Sequence, residues 1–170
     1  MTRLTRWLSL SVMMALLSSG WAGGLVRADN DAQDNLFAVA EKNGHYTHFI
    51  AAAKTTGLDK LLQENNVSYT VFMPTDQAFE ALESSVRDKL FSPASRDRLN
   101  DILDLHVVEG DYTLERALQR VSVPSEQGQA LKFTRSEEQT MVNDARILDD
   151  GISASNGRLY GINHVLMPRQ

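Results

Sequence analysis

The sequence predicts an α+β domain, and two observations carry that expectation: apolar residues recur at helical spacing from Leu36 to Leu118, and from Leu131 onward they alternate. A third, the Ser155-Asn156-Gly157 turn ahead of Leu159–Leu166, marks a hairpin in the alternating half. Helices first and a strand meander second argue against a doubly wound sheet, in which the two would alternate along the chain.

Asp29–Gln33 reads as a polar lead-in. Leu36, Val39 and Ala40 then give a first helix one apolar face, and Gly44 can close it in the left-handed conformation. Phe49, Ile50 and Ala53 form a second face that stops near Gly57, and Leu58, Leu61 and Leu62 form a short third helix before the polar Gln63–Asn66 turn. Thr70-Val71-Phe72-Met73 reads as a half-buried strand that Pro74 ends, because proline has no N–H to donate. Thr75 or Asp76 can cap the helix that carries Ala78, Phe79 and Leu82. Ser92-Pro93 marks the next helix start, with Leu99, Ile102, Leu103 and His106 along one face. Glu109-Gly110-Asp111 turns the chain, and Thr113 can cap a brief helix containing Leu114, Ala117 and Leu118. The strand-forming positions beyond are Leu131 and Phe133, Met141, Ile147, Ile152 and Leu159–Leu166, with a further turn at Asp149-Asp150-Gly151.

Arg3 and Arg6 precede an apolar run from Trp7 to Leu17, and small residues lead to Val26-Arg27-Ala28. This is the pattern of a secretory signal peptide over residues 1–28, cleaved after Ala28. The apolar run falls short of the roughly 20 residues that span a bilayer, so no membrane span is expected in the mature chain. Cleavage would remove three of the 17 basic residues and none of the 22 acidic ones, taking the formal net charge from −5 to −8. Such a balance, with scattered Lys and Arg, argues against nucleic acid and anionic membranes as partners, because both require clustered cations. With no Cys, a secreted or periplasmic domain must be held by its core alone. Residues 29–170 are long enough to form one such core, and no repeat or linker divides them.

Three stretches carry a family resemblance. Thr70-Val71-Phe72-Met73-Pro74-Thr75-Asp76-Gln77-Ala78-Phe79 resembles the first signature of the fasciclin-like domain, with Met73 in place of its Ala. Leu105-His106-Val107-Val108-Glu109-Gly110-Asp111-Tyr112 is similar to the family's second motif, with Leu105 where the family has Tyr. Asn156-Gly157-Arg158-Leu159-Tyr160-Gly161-Ile162-Asn163-His164-Val165-Leu166-Met167-Pro168 is similar to its terminal strand, with Tyr160 and Asn163 at the family's His and Asp positions. Order and spacing agree from about Leu36 to Pro168. The resemblance implies a single fasciclin-like domain of the beta-Ig-H3 type over residues 29–170, with N-terminal helices packed on a twisted β wedge or sandwich. It further implies a non-catalytic adhesion module that engages an extracellular, cell-surface or periplasmic protein or polysaccharide.

No Gly-x-Ser-x-Gly elbow, Cys nucleophile, phosphate-cradling Gly loop or His-Glu-x-x-His is present, so no catalytic residue, cofactor or metal is expected. His45 and His48, three residues apart, lack a third ligand at a defined spacing and read as a polar helix start. His106 follows an apolar helical face and reads as a buried histidine bonded to backbone, although the resemblance also counts it within an adhesive motif. His164 reads as a strand residue at or near the surface, and the pairs Asp149-Asp150 and Glu137-Glu138 as solvated turn acids. Asn66-Val67-Ser68 fits the N-glycosylation pattern. In animal relatives an Asp-Ile pair placed like Asp101-Ile102 is associated with integrin-dependent adhesion, so the resemblance makes Asp101, Ile102 and His106 the candidate binding residues. Two other readings stay open: a carrier of a small apolar, carotenoid-like ligand held in the wedge, and a hydrolytic enzyme.

Overall fold

The computed structural model describes residues 34–136 and 139–169. The expected signal peptide, the Asp29–Gln33 lead-in and the Glu137-Glu138 pair lie outside the described residues. Three helices open the described chain: α1 (Leu36–Asn43), α2 (Thr47–Thr56) and α3 (Leu58–Gln63). Gly44 and Gly57 end the first two at φ 77° and 91°, conformations that a residue with a Cβ adopts only under strain. Strand β1 (Tyr69–Pro74) runs into α4 (Asp76–Glu80), and Thr75 caps that helix by accepting the Ala78 N–H. Helix α5 (Ser84–Leu90) follows; it buries only Leu90, which is why no apolar periodicity announced it. Pro93–Ser95 then forms a 3₁₀ turn, and α6 (Arg96–Leu105) starts after it. Ser92 does not cap α6 as the Ser-Pro pair suggested, because its hydroxyl donates back to the Lys89 carbonyl.

The remaining elements are β2 (Val107–Glu109), α7 (Leu114–Arg120), β3 (Ser122–Pro124), β4 (Ala130–Arg135), β5 (Thr140–Val142), β6 (Ala145–Arg146), β7 (Ile152–Ala154) and β8 (Gly157–Ile162). They form two four-stranded sheets, ordered β2-β1-β8-β7 and β3-β4-β5-β6. The second half is therefore more than a meander. Its last strand, β8, leaves its hairpin partner on one side and pairs parallel to β1 on the other, from Tyr69 opposite Gly157 to Pro74 opposite Ile162. Pro74 is the last residue of β1, as expected. His164, expected within the last strand, lies beyond β8 in an exposed bend.

Burial explains why β1 shows no alternation. Tyr69, Val71 and Met73 join the core beneath the helices with Phe49, Leu62, Ile102 and Leu159, whereas Phe72 joins a second core between the sheets with Phe133, Val142, Tyr160 and Ile162. A strand covered on both faces has no polar face to alternate with, and all six residues of β1 are buried, unlike the half-buried strand that Val71 and Phe72 suggested. The result is three layers: helices on the first sheet, and the second sheet on its other face. The Ile147–Ile162 bridge joins the two sheets, reinforced by the Leu148 N–H donating to the Gly161 carbonyl. Aromatic stacking fills the inter-sheet core, with Phe72 and Tyr160 rings 5.5 Å apart at 15°.

Candidate functional site

Asp101, Ile102 and His106 all belong to α6 or its end, yet the fold gives each a different environment. Ile102 is buried in the helical core beside Leu99 and Leu103. His106 is wholly enclosed. Its Nε2 accepts the Leu166 N–H at 3.0 Å, which leaves the proton on Nδ1, 2.7 Å from the Ile102 carbonyl oxygen that it donates to. Burial drives its pKa down to about 4, against a smaller upward pull from the Ile102 bond, so the ring is neutral at pH 7. The His106 carbonyl also accepts the Phe72 N–H from β1. This histidine ties the end of α6 to the first signature strand and to the C-terminal segment. Of the three residues, Asp101 alone is exposed.

Asp101 sits on the rim of a recess of about 420 Å³ between α6 and the end of α2, lined also by Thr56, Arg96, Asp97 and Asn100. In its wall, Asn100 donates to Asp104 at 2.9 Å. Burial first, then the charges of Glu126 and Asp101, push the Asp104 carboxyl above its usual range.

Asp76 of the first signature does not cap its own helix. Its Oδ1 accepts the His48 N–H and meets His48 Nδ1, both at 2.9 Å, and its Oδ2 accepts the Thr47 hydroxyl at 2.9 Å, so it caps α2 from across the fold. Partial burial raises its carboxyl, but the bonds from His48 and Thr47 outweigh that and hold it below the usual range. His48 also stacks on Phe79, with centroids 5.7 Å apart. Among the described residues, no group of three or more His, Asp or Glu is arranged to hold a metal ion.

Two polar residues carry structural weight that the sequence did not suggest. Asn156, read as half of a hairpin turn, is 2 % exposed. Its Oδ1 accepts the Leu36 N–H at the start of α1, and its Nδ2 donates to the Leu62 and Glu64 carbonyls at the end of α3. Asp149, read as a solvated turn acid, accepts the Gly151 N–H at 3.0 Å and the Gly161 N–H at 3.1 Å. The residue is exposed as a whole, but Oδ2 points inward onto Gly161, and this partial desolvation raises its carboxyl, Asp150 adding to the effect. Asp149 stands in a second and larger recess, about 540 Å³, between α7 and the β6–β7 connection. Glu115, Arg135, Thr140, Arg146 and Asp150 share its walls. Both recesses have charged walls, so an apolar ligand entering either would strip water from ionised groups.

The three sequence motifs converge in one sheet: the first supplies β1, the second β2 and the third β8, with β1 between the other two. That is the framework of a small α+β module whose recognisable residues are chiefly architectural. The chain belongs to the fasciclin domain family, whose family model, described as "Fasciclin domain", matches residues 44–168. It is similar to Protein sll1483 of Synechocystis sp., at 33% identity over 142 residues, 84% of this chain and 78% of that protein. It is also similar to transforming growth factor-beta-induced protein ig-h3 of Sus scrofa, 32% identical over 130 residues, 76% of this chain but only 19% of that protein. Cell surface glycolipoprotein MPB83 of Mycobacterium bovis is 34% identical over 104 residues, 61% of this chain and 46% of its own length. Among solved structures, a FAS1 domain pair from the insect cell adhesion molecule fasciclin I superposes with a TM-score of 0.74 at 16% identity, over 81% of this chain and 52% of that one. That likeness concerns the fold. The mycobacterial relative is, by its name, a cell-surface protein. Among the described residues, no helix is long and apolar enough to cross a membrane.

Proposed function

We propose that this chain is a non-catalytic binding module of the fasciclin type, exported to the periplasm or cell exterior by residues 1–28, that engages a protein partner through the α6 face around Asp101. The observation that carries the reading is the contrast along one helix. Leu99, Ile102, Leu103 and Leu105 are buried and His106 bolts the helix end in place, while the Asp101 carboxylate stands exposed at the rim of a recess. A charged group on a helix fixed in this way loses little freedom when a partner orders it, which favours affinity. Arg96, Asp97 and Asn100 around it supply the mixed polar rim that surrounds the anchors of a protein contact. A standard contact would cover about 800 Å² of the module, far more than the recess, so neighbouring surface must take part. The cell-surface name of the mycobacterial relative supports the same reading.

The test is attachment of host cells, or of their extracted envelope proteins, to the immobilised wild-type chain and to Asp101→Ala. Loss of one charged anchor at a contact centre is expected to weaken retention by about tenfold or more. Unchanged retention by the variant would sink the α6 reading, and retention only by envelope polysaccharide would move the partner to that class. Sequencing the N-terminus of the exported protein checks the signal peptide, with Asp29 as the expected first residue.

A further inference from the structure

We propose that the recess between α7 and the β6–β7 connection binds a neutral saccharide, separately from the α6 face. Its volume of about 540 Å³ falls within the range of small-ligand sites, roughly 300–1,000 Å³. Its chemistry narrows the ligand. Arg135 and Arg146 present guanidinium groups, and Glu115, Asp149 and Asp150 present carboxylates. Neither arginine forms an ion pair with any of those three acids. An anion entering the recess would meet three carboxylates, and a cation would meet two guanidinium groups. A ligand rich in hydroxyls satisfies both sets at once, since each hydroxyl can donate to a carboxylate and accept from a guanidinium N–H.

Part of the site is built in advance. The Gly151 and Gly161 N–H groups hold the two Asp149 oxygens, one each, and leave a lone pair on the outward Oδ1 for a ligand. Gly161 makes this possible, because a Cβ there would come within 2.7 Å of Asp149 Oδ2 and 2.8 Å of the Tyr46 hydroxyl. An acceptor fixed by backbone bonds pays little ordering entropy when it binds. Beside these polar groups stands an apolar lip, Leu148, 43% exposed, with Leu114 and Ile147 next to it in the wall. Sugar rings have this same division, with hydroxyls at the edge and C–H groups on the faces. A fully apolar ligand would leave the guanidinium and carboxylate groups desolvated without partners.

The test is a two-dimensional amide NMR titration of the full chain with cellotriose and maltotriose as neutral probes and dextran sulfate as the anionic one. A neutral trisaccharide is expected to shift the amides of Thr140, Leu148, Gly151 and Gly161 saturably, at millimolar affinity that does not change with salt. Arg135→Ala and Asp150→Ala are each expected to weaken that binding by about tenfold, the loss of one charge-assisted hydrogen bond, without lowering the melting temperature. Asp101→Ala is expected to bind the sugar as wild type does, so failure here and failure of the α6 reading are separable. Three results would each overturn the proposal: no response to either trisaccharide, wild-type affinity in the Arg135→Ala/Asp150→Ala double variant, or dextran sulfate moving the same amides with an affinity that collapses in salt.

Discussion

His106 makes the stability of this domain depend on pH in a window fixed by its burial. In the unfolded chain its pKa is the ordinary 6.5, and in the fold it is about 4, because the enclosed ring has no room for a charge. Between those values the unfolded chain binds more protons than the folded one, so stability from this group is complete above about pH 7 and falls as pH drops. Linkage puts the loss at about 2 kcal/mol between pH 7 and pH 5, and at about 3 kcal/mol once pH is below the folded value. Protonation would also turn Nε2 from an acceptor into a donor facing the Leu166 N–H, which places two donors against each other.

The assay is urea unfolding of wild type and His106→Asn at pH 7 and pH 5. The shorter amide side chain of the variant can still donate toward the Ile102 carbonyl but does not reach the Leu166 N–H, so the variant should be less stable by about 2 kcal/mol at pH 7. It has no ring to titrate, and the gap to wild type should therefore close to within about 0.5 kcal/mol at pH 5. Other groups add to the pH dependence, notably Asp104 and Asp149, whose carboxyls are raised chiefly by burial. Both proteins carry them, so the subtraction removes them. An equal gap at both pH values would refute the assignment of His106 as a neutral, doubly bonded ring.

Two substitutions test the polar and glycine positions that join the layers. Asn156→Ala leaves the Leu36 N–H and the Leu62 and Glu64 carbonyls without their buried partner, and urea unfolding should record a loss of about 4 kcal/mol. A loss below about 1 kcal/mol would mean that water replaces the side chain. Gly157→Ala places a Cβ into the Tyr69 carbonyl at φ 143°, inside the parallel β1–β8 pairing, whereas Gly44→Ala meets nothing within 4 Å at φ 77°. The second change should cost about 1 kcal/mol of backbone strain and the first at least about 3 kcal/mol, since it must displace a strand; equal costs in thermal unfolding would contradict the close approach.

What could be read from the sequence and what could not divide along a physical line. Helices α1 to α3 and α6 announced themselves through apolar spacing and glycine stops, because a helix against a sheet buries one stripe and exposes the rest. The pairing of β1 with β8 did not, since partners some 90 residues apart leave no local trace and a strand covered on both faces has no alternation to find. Helix α5 escaped for the opposite reason, burying too little to pattern its sequence. The polar residues were only partly legible. Asp76, Asn156 and Asp149 each sit where a local rule offers a sufficient explanation: a cap, a hairpin and a solvated turn. Asp76 bonds backbone at α2 instead of capping its own helix, whereas Asn156 and Asp149 keep their places in the hairpin and the turn and also bond backbone brought to them by the tertiary fold, at α1 and α3 and at Gly161. The same holds for the motifs that identify the family. Their most recognisable residues, Phe72, His106 and Leu159, are buried where they set strand order and layer contact. Surface positions such as Asp101, Arg135 and Asp150 answer to no packing constraint, and that leaves a member of this family free to change partners while keeping its frame.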